Sequence, residues 1–111
     1  MNKEPDIFKI HSDFCSALAN ERRLRILWLL HEREYSVGEI SHTLGIPMPN
    51  ISQHLRILRD YGVVVTHKKG LQVYYNISSK KFMDGCKLIR EGIIDTQSLK
   101  FKALSAAKLE K

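Results

Sequence analysis

The residues of this chain best suited to chemistry are polar and lie close together. From Asn50 to Arg59 the sequence reads Asn-Ile-Ser-Gln-His-Leu-Arg-Ile-Leu-Arg, with Ile51, Leu55 and Leu58 recurring at the spacing of one helix face. Asn50, Ser52, Gln53 and Arg56 must then project from the opposite face. Their types match what DNA base edges offer: Asn or Gln can bond an adenine edge in bidentate fashion, Arg a guanine edge and Ser either. Each good bidentate pair is worth about 1–3 kcal/mol of discrimination. Arg59, His67, Lys68 and Lys69 suit phosphates, which set register without reading sequence. His54 sits at the flank of the same segment and reads as a DNA contact or a helix-flank residue.

A second set of reactive groups is His11 and Cys15, four residues apart and so on one helix face, together with Cys86 much later in the chain. Imidazole and thiolate suit zinc or a softer ion. Both cysteines also lie on or beside apolar stripes, where a free cysteine packs as a small hydrophobe, so the pattern leaves both readings open. Two cysteines so far apart make neither a disulfide scaffold nor a zinc-finger or redox pair, and they read as free thiols in a reducing compartment. There is no glycine-rich phosphate loop, no nucleophile with a neighbouring base and no set of paired carboxylates, which argues against an enzyme.

The elements that must position these groups are legible from spacing and caps. Ile7, Ile10, His11, Phe14 and Leu18 form one face of a first helix after a Pro5-Asp6 start. Asn20 caps a second helix, apolar on nearly every side through Leu24 and Ile26 to Leu30. Ser36 and Glu39 form a capping box for a short third helix, with Val37, Ile40 and Leu44 on one face and Gly45 placed to end it. Pro47 and Pro49 bracket Met48 at the start of a fourth helix that stops at Gly62. Val63 to His67 and Leu71 to Ile77 read as strands around a Lys68-Lys69-Gly70 turn, the second strand with Val73, Tyr75 and Ile77 inward and Gln72, Tyr74 and Asn76 outward. Ser78 and Ser79 can cap a fifth helix, with Phe82, Cys86, Ile89 and Ile93 on one face. The fold class is therefore mainly α with a β-hairpin wing: a winged helix-turn-helix of five or six helices. Residues 1–97 form the DNA-binding and dimerisation domain, and residues 98–111 a basic C-terminal extension, helical or frayed.

Length and charge agree with that plan. The chain has 111 residues, 43% hydrophobic and 27% charged, which suits one soluble domain. The longest apolar run is Ile26 to Leu30, which excludes a membrane span, and no secretory signal is present, so the expected location is the cytoplasm. Residues 1–45 hold 6 basic side chains against 7 acidic, residues 46–77 hold 4 against 1, and residues 78–111 hold 8 against 4. The net charge of +6 thus lies wholly beyond residue 45, an electrostatic footprint for a polyanion.

The segments Ala17-Leu-Ala-Asn-Glu-Arg-Arg-Leu-Arg-Ile-Leu, Ser36-Val-Gly-Glu-Ile, Ile51-Ser-Gln-His-Leu-Arg-Ile-Leu-Arg-Asp-Tyr-Gly-Val-Val and Val73-Tyr-Tyr-Asn-Ile, in unbroken order over residues 7 to about 95, resemble the ArsR/SmtB family of bacterial and archaeal repressors. The resemblance implies a homodimeric repressor, paired through its first and last helices, that binds double-stranded DNA at an inverted repeat and leaves it when an inducer binds or modifies the protein. It also places Cys15 and Cys86 on the two dimer helices, where a cluster of His11, Cys15 and Cys86 across the interface is geometrically possible. Soft metals, metalloids and thiol-reactive species are the inducers such a cluster would take.

The chain departs from the family pattern at several positions. Pro47 stands where a Ser or Thr cap is usual, and Met48 where a polar residue is frequent. The third helix lacks the cysteine pair of soft-metal sensors, and no histidine follows His67, so the Asp and His set of zinc and cobalt sensors is missing. The dithiol pattern of oxidant sensors is not met either, with Trp28 and Ile94 at or near its two positions. The sequence does not identify a cofactor. The alternative reading is a winged-helix module that binds only proteins, marked by low affinity for duplex DNA at low salt.

Overall fold

The computed structural model describes residues 6–97 and Ala106. Most of the expected C-terminal extension, residues 98–111, therefore lies outside the described residues, as does Pro5. The chain divides into two compact units, residues 1–80 and 81–111.

In the first unit, α1 (Ile7–Leu18) starts where the Asp6 carboxylate accepts from the backbone N–H groups of Phe8 and Lys9, at 3.0 and 3.3 Å. The Asn20 side chain caps α2 (Glu21–Glu32) by accepting from the Arg23 N–H at 3.1 Å. After a two-residue strand β1 (Tyr35–Ser36), α3 (Val37–Leu44) opens on the expected capping box. The Glu39 N–H donates to Ser36 Oγ at 3.2 Å and the Ser36 N–H to Glu39 Oε1 at 2.9 Å. Gly45 ends α3 in the left-handed region, with φ 67°, which a side chain would resist.

Residues 45–47 then turn the chain into α4 (Met48–Asp60). Ser41 stitches that turn: its carbonyl accepts from the Gly45 and Ile46 N–H groups, and its hydroxyl donates to the Ile46 carbonyl at 2.6 Å. Ile51, Leu55 and Leu58 of α4 are completely buried, together with Ile26, Leu27, Ile40 and Val63. Each such side chain contributes about 1.5–3 kcal/mol by leaving water. That stripe seats α4 against α1, α2, α3 and the sheet, and so decides which side of α4 meets solvent.

The sheet is antiparallel in the order β1-β3-β2, with β2 spanning Val64–Lys69 and β3 Gln72–Ile77. Three details differ from the sequence reading. Lys68 and Lys69 belong to β2, paired with Val73 and Gln72, so the turn is Gly70-Leu71. Gly70 at φ 60° supplies the positive dihedral that a two-residue hairpin needs at its first position. Val73 has the predicted parity yet is 39% exposed, because the hairpin tip runs past the core. β1 joins the sheet through Tyr35 opposite Tyr75 and Ser36 opposite Tyr74, a pairing too short to show in sequence. The Ser78 hydroxyl donates to the Gly62 and Val63 carbonyls, at 2.6 and 3.0 Å, and ties the end of β3 to the start of β2.

The last helix, α5 (Lys80–Thr96), lies in the second unit from its second residue onward. Met83 and Cys86 are buried, while Leu88, Ile89 and Ile93 are exposed.

Candidate nucleic-acid interface

On α4 the structure places Asn50, Ser52, Gln53, Arg56 and Arg59 in solvent, opposite the buried stripe. The helix entry is the unusual part. No side chain caps it, Pro49 has no N–H, and the Asn50 N–H donates to the Pro47 carbonyl at 3.0 Å. Pro47 and Pro49 each lack an N–H, so fewer donors remain at this helix entry to hold a phosphate than a helix without prolines there would offer.

His54 has a different setting from its neighbours. It is half-buried, and its Nδ1 lies 3.4 Å from Arg23 Nη1. Arg23 also donates from Nε to the Ala17 carbonyl at 2.6 Å, so one guanidinium links the end of α1 to the middle of α4. Burial, then the charges of Arg23 and Arg22, push the His54 imidazole below its ordinary pKa. The unfolded chain then takes up a proton more readily than the folded one, so this group removes stability as pH falls below about 6.5, the ordinary histidine value. Unfolding in urea at pH 5 to 8 should show a weaker pH dependence in His54→Gln than in the parent. Identical slopes would show that His54 does not titrate in this way.

The wing is arranged around a residue that the sequence reading did not single out. Glu34, in the loop between α2 and β1, pairs with Lys69 Nζ at 2.5 Å and with His67 Nε2 at 3.1 Å. His67 stacks on the Tyr74 ring and Lys69 lies over it, while Asn76 Nδ2 approaches His67 Nδ1 at 3.3 Å. The hydrogen bond from Lys69, with the Lys69 charge and a hydrogen bond from Asn76 adding to it, holds the Glu34 carboxyl below its usual range against the opposing effect of burial. Lys68, on the other face of the hairpin, is exposed. No local spacing announces Glu34: its partners lie across the sheet, in another element.

His11 and Cys15 are both exposed on α1, and Cys86 is buried on α5. Among the described residues no group of three His, Cys, Asp or Glu side chains within the chain could hold a metal ion.

Two helices across a tight turn, the second with a polar outer face, followed by an antiparallel hairpin, define a winged helix-turn-helix protein. The family model described as "Bacterial regulatory protein, arsR family" matches residues 20–66, from the α2 cap into the wing. The HTH-type transcriptional regulator Rv0081 of Mycobacterium tuberculosis is 41% identical over 80 residues, 71% of this chain and 69% of that protein. Its crystal structure superposes with a TM-score of 0.73 at 30% identity, covering 94% of this chain and 98% of that one. The chain belongs to the ArsR family of bacterial regulatory proteins.

Two further relatives bracket it. The transcriptional activator HlyU of Vibrio cholerae is 49% identical over 63 residues, 57% of this chain and 58% of that protein. The structure of its reduced form has a TM-score of 0.68 at 38% identity, over 75% of this chain and 87% of that one. The homodimeric winged helix-turn-helix domain Mb0332 of Mycobacterium bovis, solved by NMR, has a TM-score of 0.76 at 26% identity, over 88% and 94% of the two chains. The family and these relatives are regulators rather than enzymes. Among the described residues no helix is long and apolar enough to cross a membrane.

Proposed function

We propose that this chain is a homodimeric, sequence-specific repressor of transcription that binds an inverted-repeat operator in cytoplasmic DNA. The observation that carries the reading is the division of α4: Ile51, Leu55 and Leu58 without exposure on one side, and Asn50, Ser52, Gln53 and Arg56 in solvent on the other. A helix so seated leaves base-reading side chains in solvent, free to enter a major groove. Repression asks for nothing beyond occupancy, since a dimer over a promoter excludes polymerase.

Support for the dimer comes from each terminal helix on its own. Ile7, Phe8 and Ile10 of α1 are 65%, 82% and 45% exposed, and Leu88, Ile89 and Ile93 of α5 are 66%, 65% and 42% exposed. Apolar side chains this concentrated mark a surface that a partner covers. Gly85 and Gly92, seven residues apart on α5, have open space where a Cβ would stand, which lets a second helix approach closely. Two-fold symmetry then sets the half-sites about one helical turn or a multiple apart.

The test is a mobility shift on the DNA upstream of the protein's own coding sequence, run across a salt series. Lys68→Ala should weaken operator and random duplex alike and lower the slope of log affinity against log salt by about 0.9, the loss of one phosphate contact. Failure to retain any duplex at low salt would overturn the DNA reading in favour of a protein-binding module.

A further inference from the structure

We propose that Glu34 is a built-in competitor for DNA phosphate at the wing, which occupies Lys69 and so leaves Lys68 as the wing's uncompensated lysine. The inference rests on the DNA-binding reading above and assigns to that site a residue that lowers its affinity for the phosphate backbone. A basic hairpin is expected to offer every cation to a polyanion, yet one carboxylate here already takes Lys69 at 2.5 Å and His67 at 3.1 Å.

The carboxylate is held in place before any ligand arrives. The Arg33 guanidinium donates to the Glu34 carbonyl at 2.7 Å and stacks over the Tyr35 ring at 3.7 Å, and Tyr35 is paired with β3. The Glu34 side chain is 25% exposed, whereas that of Lys69 is 62% exposed, so a phosphate can reach the ammonium while the carboxylate stays on its mount. Tyr74 forms the floor under both cationic side chains.

The histidine fits the same picture. With the proton on Nε2, neutral His67 donates to Glu34 and accepts from Asn76 Nδ2 on Nδ1, which satisfies both contacts; this tautomer follows from the hydrogen-bond partners. One negative charge is then balanced by one positive charge, Lys69. Binding a phosphate through Lys69 means exchanging one anion for another, and such an exchange gains little. Removing the carboxylate makes Lys69 available without cost.

The experiment compares the parent, Glu34→Gln, Glu34→Gln with Lys69→Ala, and Asp13→Asn. The last removes a carboxylate that pairs with a lysine, Lys9, at 3.1 Å on α1, so it reproduces the change in net charge away from the wing. Affinity for a random-sequence duplex and retention on a heparin column are read across a salt series.

Glu34→Gln should bind random duplex about twofold to fivefold more tightly than Asp13→Asn, the range of an exposed ion pair. Its salt slope should steepen by about 0.9, one more phosphate neutralised. Adding Lys69→Ala should return the slope to that of the parent. Glu34→Gln indistinguishable from Asp13→Asn in both slope and heparin retention would overturn the proposal, even with operator binding by the parent intact. Should the parent bind no duplex, the DNA reading fails separately, and higher heparin retention of Glu34→Gln than of Asp13→Asn would still support the masking of Lys69.

Discussion

Replacing Gln53 and Arg56 together by alanine should abolish most of the preference for operator over random DNA while leaving the protein folded. Each side chain stands on the solvent side of α4, and each good bidentate base contact is worth about 1–3 kcal/mol, so the two together are worth roughly 30-fold to 20,000-fold in discrimination. Random-duplex affinity should change far less, because Gln53 carries no charge and Arg56 accounts for about one phosphate-sized contribution. Competition binding of labelled operator against excess random duplex measures the ratio directly. A double variant that loses both affinities in equal proportion would show that α4 holds DNA without reading it.

The second large effect concerns the other side of the same helix. Leu55→Ala should destabilise the protein by about 2–5 kcal/mol, since Leu55 has no exposed surface and its removal adds a cavity to the lost burial. Each kcal/mol lowers Tm by roughly 4–8 °C in a domain of this size, so the melting temperature should fall by 8 °C or more. Ile57→Ala, two residues further along and 36% exposed, is the comparison, expected to cost much less. Melting at one fixed protein concentration keeps the coupling between assembly and stability constant across the series. Similar losses from the two substitutions would mean that α4 is not seated as described.

The two predictions act on opposite faces of one helix, and that division was legible before any coordinates. The Ile51, Leu55 and Leu58 spacing assigned the faces of α4, and the Ser36 and Glu39 pair with Gly45 delimited α3. The local chemistry of a cap or a helical period spans only a few residues, so a linear reading suffices. The hairpin was legible in kind but not in detail. Gly70 could sit at the end of a three-residue turn or at the first position of a two-residue turn, and strand pairing chose the second, carrying Lys68 and Lys69 into β2.

His54 and the wing show where a linear reading stops. In sequence His54 is one more polar residue on a surface helix; in the fold it meets Arg23, whose guanidinium also serves the end of α1. Lys69 and His67 count as two basic side chains on a tip, yet Glu34 from a distant loop takes both.

By itself the sequence determined the five helices, the caps of α2 and α3, the inward stripe of α4, the polar side chains on its outer face and the basic excess beyond residue 45. Only the tertiary structure decided that β1 pairs with β3, that Arg23 lies against His54, and that one wing lysine is already paired. The physical reason is range. Periodicity and capping are set by neighbours along the chain, whereas an ion pair depends on which loops the packed core brings within a few ångströms, and no local signal in the sequence encodes that distance.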